Sequence, residues 1–184
     1  MNIQILDAVP RMRDDRQIAG LQALCRWAVD RGAIAKAVEV CVYAGEATAV
    51  FACFFRDVLA VDPWQNGYDD ADLASFMAPM DAVFAAFLER KNASGGVIRH
   101  LRNTSSDAAG FVADASLDFI YIDADHRYEA VLSDLATWMP KLRHGAILAG
   151  HDLSFPGVRR ALSETIADFN PIEFEGDSWA IQMP

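Results

Sequence analysis

Short apolar runs alternate with amphipathic segments along most of this 184-residue chain. Apolar runs rich in aliphatic residues, each ending in polar or glycine residues, occupy residues 36–43, 57–64, 117–124 and 146–152. A weaker run lies within residues 95–105. Runs of this length and composition are typical of buried strands. The pattern therefore predicts five strands in this part of the chain.

Apolar residues at helical spacing separate these runs. The first helix is predicted over about residues 15–30, where Ile18, Leu21 and Leu24 share one face and Gly32 follows as a stop signal. Further helices are predicted after Gly45, over residues 73–93 with a break at Pro79, briefly within residues 106–116, over residues 128–145 with Pro140 and Gly145 closing the helix, and over residues 157–169.

Strands that alternate with helices in this way are joined by parallel crossovers, which give a doubly wound sheet with helices on both faces. The end of the chain departs from this order, because residues 172–183 hold two apolar runs joined through Gly176 and Asp177, a hairpin signal. We therefore expect a three-layer α/β fold with a mostly parallel sheet of about seven strands and an antiparallel C-terminal hairpin. A single domain is expected over residues 1–184, with an N-terminal helical segment over residues 1–35 and the core over residues 36–184.

Composition and charge narrow the expected partners and compartment. A formal net charge of -10 argues against a nucleic-acid partner, because affinity for phosphate backbones needs clustered Lys and Arg. Residues 37–55 approach the length of a membrane span, but Glu39 and Glu46 would be costly in hydrocarbon. The three cysteines form no metal-type pair, and the N-terminus lacks a secretory signal. A cytoplasmic protein with reduced thiols and no membrane partner is expected.

Polar residues stand at the ends of the first predicted strands, where open parallel sheets bind ligands. Glu39 lies in an apolar run and needs a hydrogen-bonding partner if it is buried; the alternative is an edge position that faces water. Asp62 closes the second run at a position typical of an acid that binds ribose, and Trp64 offers an aromatic face for a base. A turn Asp and a core Trp are the alternative. Ser105, after the third run, fits either an adenine edge or a helix cap.

The last two predicted parallel strands end in a cluster of oxygen and nitrogen ligands. Asp123, His126, His151 and Asp152 are suited to binding a divalent cation or to acid–base catalysis. Both turns are expected to open on the same edge of the sheet, which brings these four side chains together. Asp125 is expected instead to cap the helix that follows it.

These segments carry a family resemblance. In order along residues 36–162, the chain holds VEVCVYAGEATA, AVDPW, IDADHRYEAV, GHD and PGVRRAL. Together they resemble class I S-adenosylmethionine-dependent methyltransferases, in particular a small bacterial group related to the catechol-type O-methyltransferases. The resemblance implies a Rossmann-like fold and methyl transfer to the hydroxyl of a small-molecule acceptor. It implies S-adenosylmethionine as the cofactor and Mg²⁺ or another divalent cation as a further candidate.

The resemblance also assigns roles to single residues. The cofactor-binding residues would be Glu39, Cys41, Gly45, Asp62, Trp64, Ser105 and Asp123, with Asp62 at the ribose and with Trp64 and Ser105 near the adenine. The metal ligands would be Asp123, His151 and Asp152. His126 stands where the relatives have a catalytic lysine, so His126 and Asp123 are the candidate catalytic residues.

The chain departs from the family pattern at two positions. Cys41 replaces a glycine of the cofactor loop, where its side chain would crowd the approach to the cofactor. His151 replaces an acidic ligand, which would favour a transition metal or no metal at all.

Other functions account for parts of the pattern. A metal-dependent hydrolase would use the predicted metal ligands to activate water, but it leaves Glu39 and Asp62 without a role. A non-catalytic small-molecule-binding relative is expected if Cys41 blocks the cofactor loop. A dinucleotide oxidoreductase is disfavoured, because the loop is not G-x-G-x-x-G. If the chain forms a homodimer, Phe76 and Phe155 are the aromatic residues that we expect at the contact.

Overall fold

The computed structural model describes residue 9, residues 11–67 and residues 79–184. The helices are α1 (Asp15–Val29), α2 (Glu46–Phe51), α3 (Met80–Ala93), α4 (Ser105–Ala109), α5 (Tyr128–Trp138) and α6 (Pro156–Thr165). The strands are β1 (Lys36–Val40), β2 (Asp57–Val61), β3 (Ile98–Leu101), β4 (Leu117–Ile122), β5 (Leu142–Gly150), β6 (Ile172–Phe174) and β7 (Ser178–Gln182). Phe76 and the first part of the helix predicted over residues 73–93 lie outside the described residues.

The strands form one seven-stranded sheet in the order β3-β2-β1-β4-β5-β7-β6. The first five are parallel, and β7 runs antiparallel to both β5 and β6. The predicted α/β fold with an antiparallel C-terminal hairpin is therefore confirmed. The hairpin turns at Gly176 and Asp177, which both adopt the positive φ that short β-turns favour.

Two apolar layers enclose the sheet. On one face, α1, α2 and α3 pack against alternate strand residues such as Phe119 and Tyr121. On the other face, α4, α5 and α6 pack against the intervening residues, among them Ile120. Because both faces are covered, the central strand β4 is buried at every position. None of the described helices has the length and apolar content that crossing a membrane requires.

The boundary between α5 and β5 differs from the prediction. The helix expected to run to Gly145 ends at Trp138, a short 3₁₀ turn follows over Met139–Lys141, and β5 begins at Leu142. Pro140 closes the helix because it has no N–H for the next helical hydrogen bond. Gly145 lies within β5 with a φ of 74°, where the pairing register with β4 shifts, so it belongs to a strand irregularity.

A close backbone approach joins α6 to the turn after β4. A Cβ added to Gly157 would lie 2.5 Å from the carbonyl oxygen of His126 and 3.0 Å from the backbone nitrogen of Tyr128. These contacts involve backbone atoms, so a side chain at Gly157 would have to push the turn away from the helix. Gly157 of the PGVRRAL motif thus allows α6 to pack directly against the turn that carries His126.

Substitution Gly157→Ala should lower the free energy of unfolding by about 1–3 kcal/mol, because overpacking against backbone forces a shift of the turn. Gly110→Ala is the matched control, since its Cβ would meet a single carbonyl oxygen at 3.2 Å. Chemical denaturation of both variants measures the difference. Equal stability of the two would mean that the His126 turn moves without cost.

Candidate active site

A cavity of about 330 Å³ lies at the carboxyl ends of β1, β2, β4 and β5, hereafter the carboxyl edge. Its volume is within the range of small-molecule sites. Its walls come from the residues that follow these four strands and from the segment that precedes α1. The lining residues are Met12, Arg13, Gln17, Glu39, Cys41–Ala44, Glu46, Ala47, Asp62, Pro63, Met80, Asp123, Ala124, His126, His151 and Asp152.

The loop between β1 and α2 forms one wall in a conformation that favours glycine. Gly45 has a φ of 81° and is the N-cap of α2, and a Cβ there would lie 2.8 Å from the ring of Phe87. Cys41 and Tyr43 also adopt positive φ, at 63° and 52°. A glycine would occupy these positions without strain, whereas a side chain costs about 1–2 kcal/mol. Burial and the nearby carboxylate of Asp62 raise the pKa of the Cys41 thiol, so it stays protonated.

Asp62 organises this loop from the end of β2. Its Oδ2 accepts the backbone N–H groups of Val42 and Tyr43 at 2.8 and 2.9 Å, and its Oδ1 accepts that of Trp64 at 2.5 Å. Burial raises the pKa of Asp62 above its usual value, although these three hydrogen bonds act in the opposite direction. The carboxylate lines the cavity while it holds the loop, so both a structural and a ligand-binding role fit its position.

Trp64 and Ser105 do not line the cavity. The Trp64 side chain is 1% exposed, packs against Phe84 and Phe87, and donates its ring N–H to the carbonyl of Tyr43 at 2.8 Å. Ser105 donates to Asp134 at 2.5 Å and accepts the ring N–H of Trp138 at 2.8 Å. Both side chains take part in the packing between elements, and their place near an adenine stays a prediction. The core alternative for Trp64 is the one observed.

Glu39 is buried beneath the same loop, on a strand that pairs with neighbours on both sides. The expected partner is the hydroxyl of Thr48, which donates to a Glu39 carboxylate oxygen. The alternative of an edge position facing water is therefore wrong. Burial raises the pKa of Glu39 to about 8, even though the hydrogen bond from Thr48 lowers it. Glu39 therefore holds its proton more tightly than an exposed glutamate does.

Asp152 joins two imidazoles at the opposite wall. Its Oδ2 lies 2.7 Å from His126 Nε2 and 3.0 Å from His151 Nδ1. His151 Nε2 lies 2.7 Å from the carbonyl oxygen of Gly176, which can only accept, so this nitrogen carries a proton. Burial raises the pKa of Asp152, but hydrogen bonds from both imidazoles outweigh it and hold that pKa well below the usual range. Asp152 is a carboxylate under all ordinary conditions.

The two histidines have different surroundings. Burial lowers the pKa of His151, but its hydrogen bond with Asp152 and the charge of Asp123 outweigh burial and raise it above the usual value. The His126 side chain is 28% exposed at the cavity wall and stacks on Phe155, with ring centroids 4.6 Å apart. His126 is thus the more accessible imidazole, held in orientation by Asp152.

Asp125 does not cap α5 as predicted. The N-cap is Arg127, two residues further on, and its own side chain makes no capping hydrogen bond. Asp125 accepts the backbone N–H of Arg127 at 2.9 Å and pairs with its guanidinium. The side chain therefore stabilises the turn that precedes the helix, where an Asp commonly bonds the backbone two residues ahead.

Arg13 enters the site without any signal in the sequence. It is 8% exposed, and its guanidinium donates to Asp123 Oδ2 from 110 residues away in the chain. Glu46 holds this segment over the cavity, because its Oε2 accepts the backbone N–H groups of Met12 and Arg13 at 3.0 and 2.9 Å. No motif includes Arg13, and its neighbours in sequence are ordinary surface residues.

A divalent cation would need the donors of Asp123, His126 and Asp152, which can approach within 4.8 Å of one another. These donors are already engaged, Asp123 by Arg13 and Asp152 by both imidazoles. A guanidinium beside the carboxylates also repels a metal cation. The arrangement therefore does not fit a bound divalent cation, and the predicted metal set of Asp123, His151 and Asp152 stays a prediction.

Comparison with known proteins matches residues 38–153 to a family model described as a methyltransferase domain. This segment holds β1 to β5 and both walls of the cavity. The chain is also 27% identical over 96 residues to an uncharacterized protein, y4gI, of Sinorhizobium fredii. That match covers 52% of this chain and only 10% of the relative's length.

Two solved structures share the fold. Rv0187 from MTB, described as cofactor-bound, is 16% identical with a TM-score of 0.68, and the match covers 98% of this chain and 87% of that chain. An O-methyltransferase from Bacillus cereus in complex with SAH is 17% identical with a TM-score of 0.65, covering 98% and 88%.

Glu39→Gln should remove a pH dependence of stability. Glu39 binds its proton more tightly in the folded chain than in the unfolded one, so the wild-type free energy of unfolding falls as pH rises from 4.5 through about 8. Chemical denaturation measures the free energy of unfolding at about pH 5 and pH 8.5. Between these two pH values, it should fall in the wild type by about 3 kcal/mol more than in Glu39→Gln. Exposed Glu129→Gln is the control and should behave like the wild type. Parallel curves for Glu39→Gln and wild type would mean that Glu39 is ionised when folded.

Proposed function

Because the chain belongs to the methyltransferase-domain family whose model it matches over residues 38–153, we propose that it transfers the methyl group of S-adenosylmethionine to a hydroxyl oxygen of a small molecule. The cofactor would lie against the β1–α2 loop, and the acceptor against the wall that carries His126 and Asp152. The O-methyltransferase from Bacillus cereus with its SAH supports both the reaction and the cofactor. The acceptor is the only partner that this reaction requires.

One observation carries the proposal, which is that a single cavity joins a cofactor-type loop to an acid–base pair. Glu39, Cys41 and Asp62 line one side, and His126 and Asp152 line the other. Methyl transfer needs the acceptor oxygen and the sulfonium methyl group aligned within one enclosed space. Binding both molecules at the carboxyl edge would supply that alignment, and positioning would contribute a large part of the rate enhancement.

His126 and Asp152 would supply the proton chemistry. The acceptor oxygen attacks the methyl carbon, the bond from carbon to sulfur breaks with its electron pair going to sulfur, and the hydroxyl proton passes to a base. His126 fits the base, because its ring is at the cavity wall and Asp152 fixes its orientation at 2.7 Å. The low pKa of Asp152 keeps it anionic, so it stabilises the imidazolium that forms.

Roles for the cofactor-side residues follow from their places in the cavity. Gly45 does not itself line the cavity, but its positive φ lets the chain turn into α2 between the lining residues Ala44 and Glu46. Asp62 would accept the ribose hydroxyls with the carboxylate capacity left by its backbone hydrogen bonds. Glu39 supports the loop from beneath through Thr48. Trp64 and Ser105 are not among the residues that line the cavity, so this proposal gives them no role.

Two alternatives have less support. A metal-dependent hydrolase needs a cation at the carboxylates that Arg13 and the imidazoles already engage. A non-catalytic relative would require the cofactor loop to be blocked, and Cys41, which lines the cavity in a glycine-type conformation, is the residue that would block it.

Calorimetric titration with S-adenosylmethionine and S-adenosylhomocysteine tests the proposal and the role of Cys41 together. We expect the wild type to bind both, Cys41→Gly to bind more tightly, and Cys41→Val to bind at least about tenfold more weakly. The reason is that the branched valine side chain would be strained at positive φ and would crowd the cofactor wall of the cavity. Glycine has no side chain there and adopts positive φ without strain. Cys53→Ala, on the surface, is the control. Binding restored only by Cys41→Gly would favour the non-catalytic relative, and binding by neither would end the methyltransferase proposal.

His126→Asn should lower the rate of methyl transfer by about 10²–10⁴-fold, because the base that accepts the hydroxyl proton is lost. The affinity for S-adenosylhomocysteine should stay close to that of the wild type, since His126 lies on the acceptor side. The assay follows S-adenosylhomocysteine release with a panel of phenolic and aliphatic alcohols. His144→Asn, an exposed histidine away from the cavity, is the control. An unchanged rate in His126→Asn would assign the base to another group.

A further inference from the structure

We propose that Arg13 is the resident cation of this site and takes the place of a divalent metal on Asp123, so that methyl transfer by this chain needs no metal. The inference rests on the proposed function and adds to it a positively charged side chain contributed from outside the family's matched segment, which begins at residue 38. In this arrangement the guanidinium meets the negative charge that develops on the acceptor oxygen.

The position of Arg13 carries the inference. Its guanidinium donates to Asp123 Oδ2 and lies 6.0 Å from the centroid of the Tyr121 ring, so it sits over the end of β4. Asp123 and Asp152 belong both to the three clustered candidate metal donors and to the metal set that the family resemblance implies, and Asp123 is the one that Arg13 contacts. A cation and a guanidinium would therefore compete for the same carboxylate group.

Both carboxylates of the cluster have a protein partner without a metal ion. Asp123 is paired with Arg13, and Asp152 is paired with His126 and His151. Burial lowers the pKa of Arg13, but the charge of Asp123 outweighs burial and raises it, so the guanidinium stays charged. Adding a divalent cation would place more positive charge beside the Arg13 guanidinium, which is unfavourable.

The segment that carries Arg13 is fixed in place rather than resting on the surface. Glu46 accepts both the Met12 and Arg13 backbone N–H groups, and Glu46 is itself within 3.7 Å of Arg90. Glu46 is the first residue of α2, directly after the Gly45 turn. Glu46 thus joins the cofactor loop to the Arg13 segment. This connection places the Arg13 guanidinium in the cavity where cofactor and acceptor are proposed to bind.

A guanidinium differs from a metal ion in what it can do for the acceptor. The guanidinium offers five N–H donors in one plane. One of its nitrogens, Nη2, donates to Asp123. The remaining donors can hold an acceptor oxygen by hydrogen bonds while its proton moves to His126. They do not lower the pKa of a hydroxyl as strongly as a coordinated metal does, so an acceptor with an acidic hydroxyl, such as a phenol, suits this site best.

Manganese binding followed by electron paramagnetic resonance tests the inference directly. The wild type should bind Mn²⁺ weakly, and Arg13→Met should bind it at least about tenfold more tightly, because Asp123 is released and the competing charge is gone. Arg13→Lys should stay close to the wild type, since the charge remains. Arg11→Met is the matched control on the exposed side of the same segment. The gain in Arg13→Met should disappear when Asp123→Asn is added, which locates the ion.

Two results would overturn the inference. One is stoichiometric Mn²⁺ binding by the wild type that Asp123→Asn abolishes, and the other is no gain in an Arg13→Met variant whose thermal unfolding shows a folded chain. If Arg13→Met fails to fold, Glu46→Ala releases the same segment and should give the same gain. Titration of each variant with S-adenosylhomocysteine separates this test from the proposed function. Failure of the wild type to bind that molecule contradicts the proposed function alone, whereas a loss confined to Arg13→Met would make Arg13 a cofactor ligand instead.

Discussion

The parallel pairing of β1 with both β2 and β4 is the constraint on which the site depends. It places the ends of these strands at one edge, and the chain leaves β1 toward β2 but leaves β4 toward β5. The loops after β1 and β4 therefore diverge and leave a crevice between them. Most cavity-lining groups lie in or directly after a parallel strand, and Arg13 is tied to them through Glu46 and Asp123.

Five carboxyl groups line the crevice; Glu46 accepts two backbone N–H groups of the Arg13 segment, and the other four are each accommodated by different means. Glu39 accepts the hydroxyl of Thr48, and its burial raises its pKa to about 8. Asp62 accepts three backbone N–H groups, Asp123 pairs with Arg13, and Asp152 lies between two imidazoles. An unpaired buried charge would cost several kcal/mol, so each of these arrangements is needed for the fold as well as for chemistry. Stability and function therefore share the same contacts in this part of the molecule.

Sequence patterns predicted most of the fold and part of the site. The alternation of apolar runs and amphipathic segments gave the doubly wound sheet and the closing hairpin, because burial on both faces leaves that pattern in the residues themselves. The same logic predicted a specific partner for Glu39. The prediction is wrong at the end of α5. Pro140 and Gly145 both look like helix stops in the sequence, but Gly145 lies at an irregular position within β5. A glycine's positive φ is common to both roles, so composition cannot separate them.

The sequence by itself determined the architecture, the family resemblance and the residues that end the parallel strands, because periodicity and local motifs are written in neighbouring positions. Only the tertiary structure decided which of those residues face the cavity. In the structure, Trp64 and Ser105 pack between helices and strands, and Asp152 orients His126. Arg13 contacts Asp123, which is 110 residues away in the sequence. Contacts of that kind arise from the crossing of distant segments, and a side chain carries no local signal of the carboxylate that it will meet.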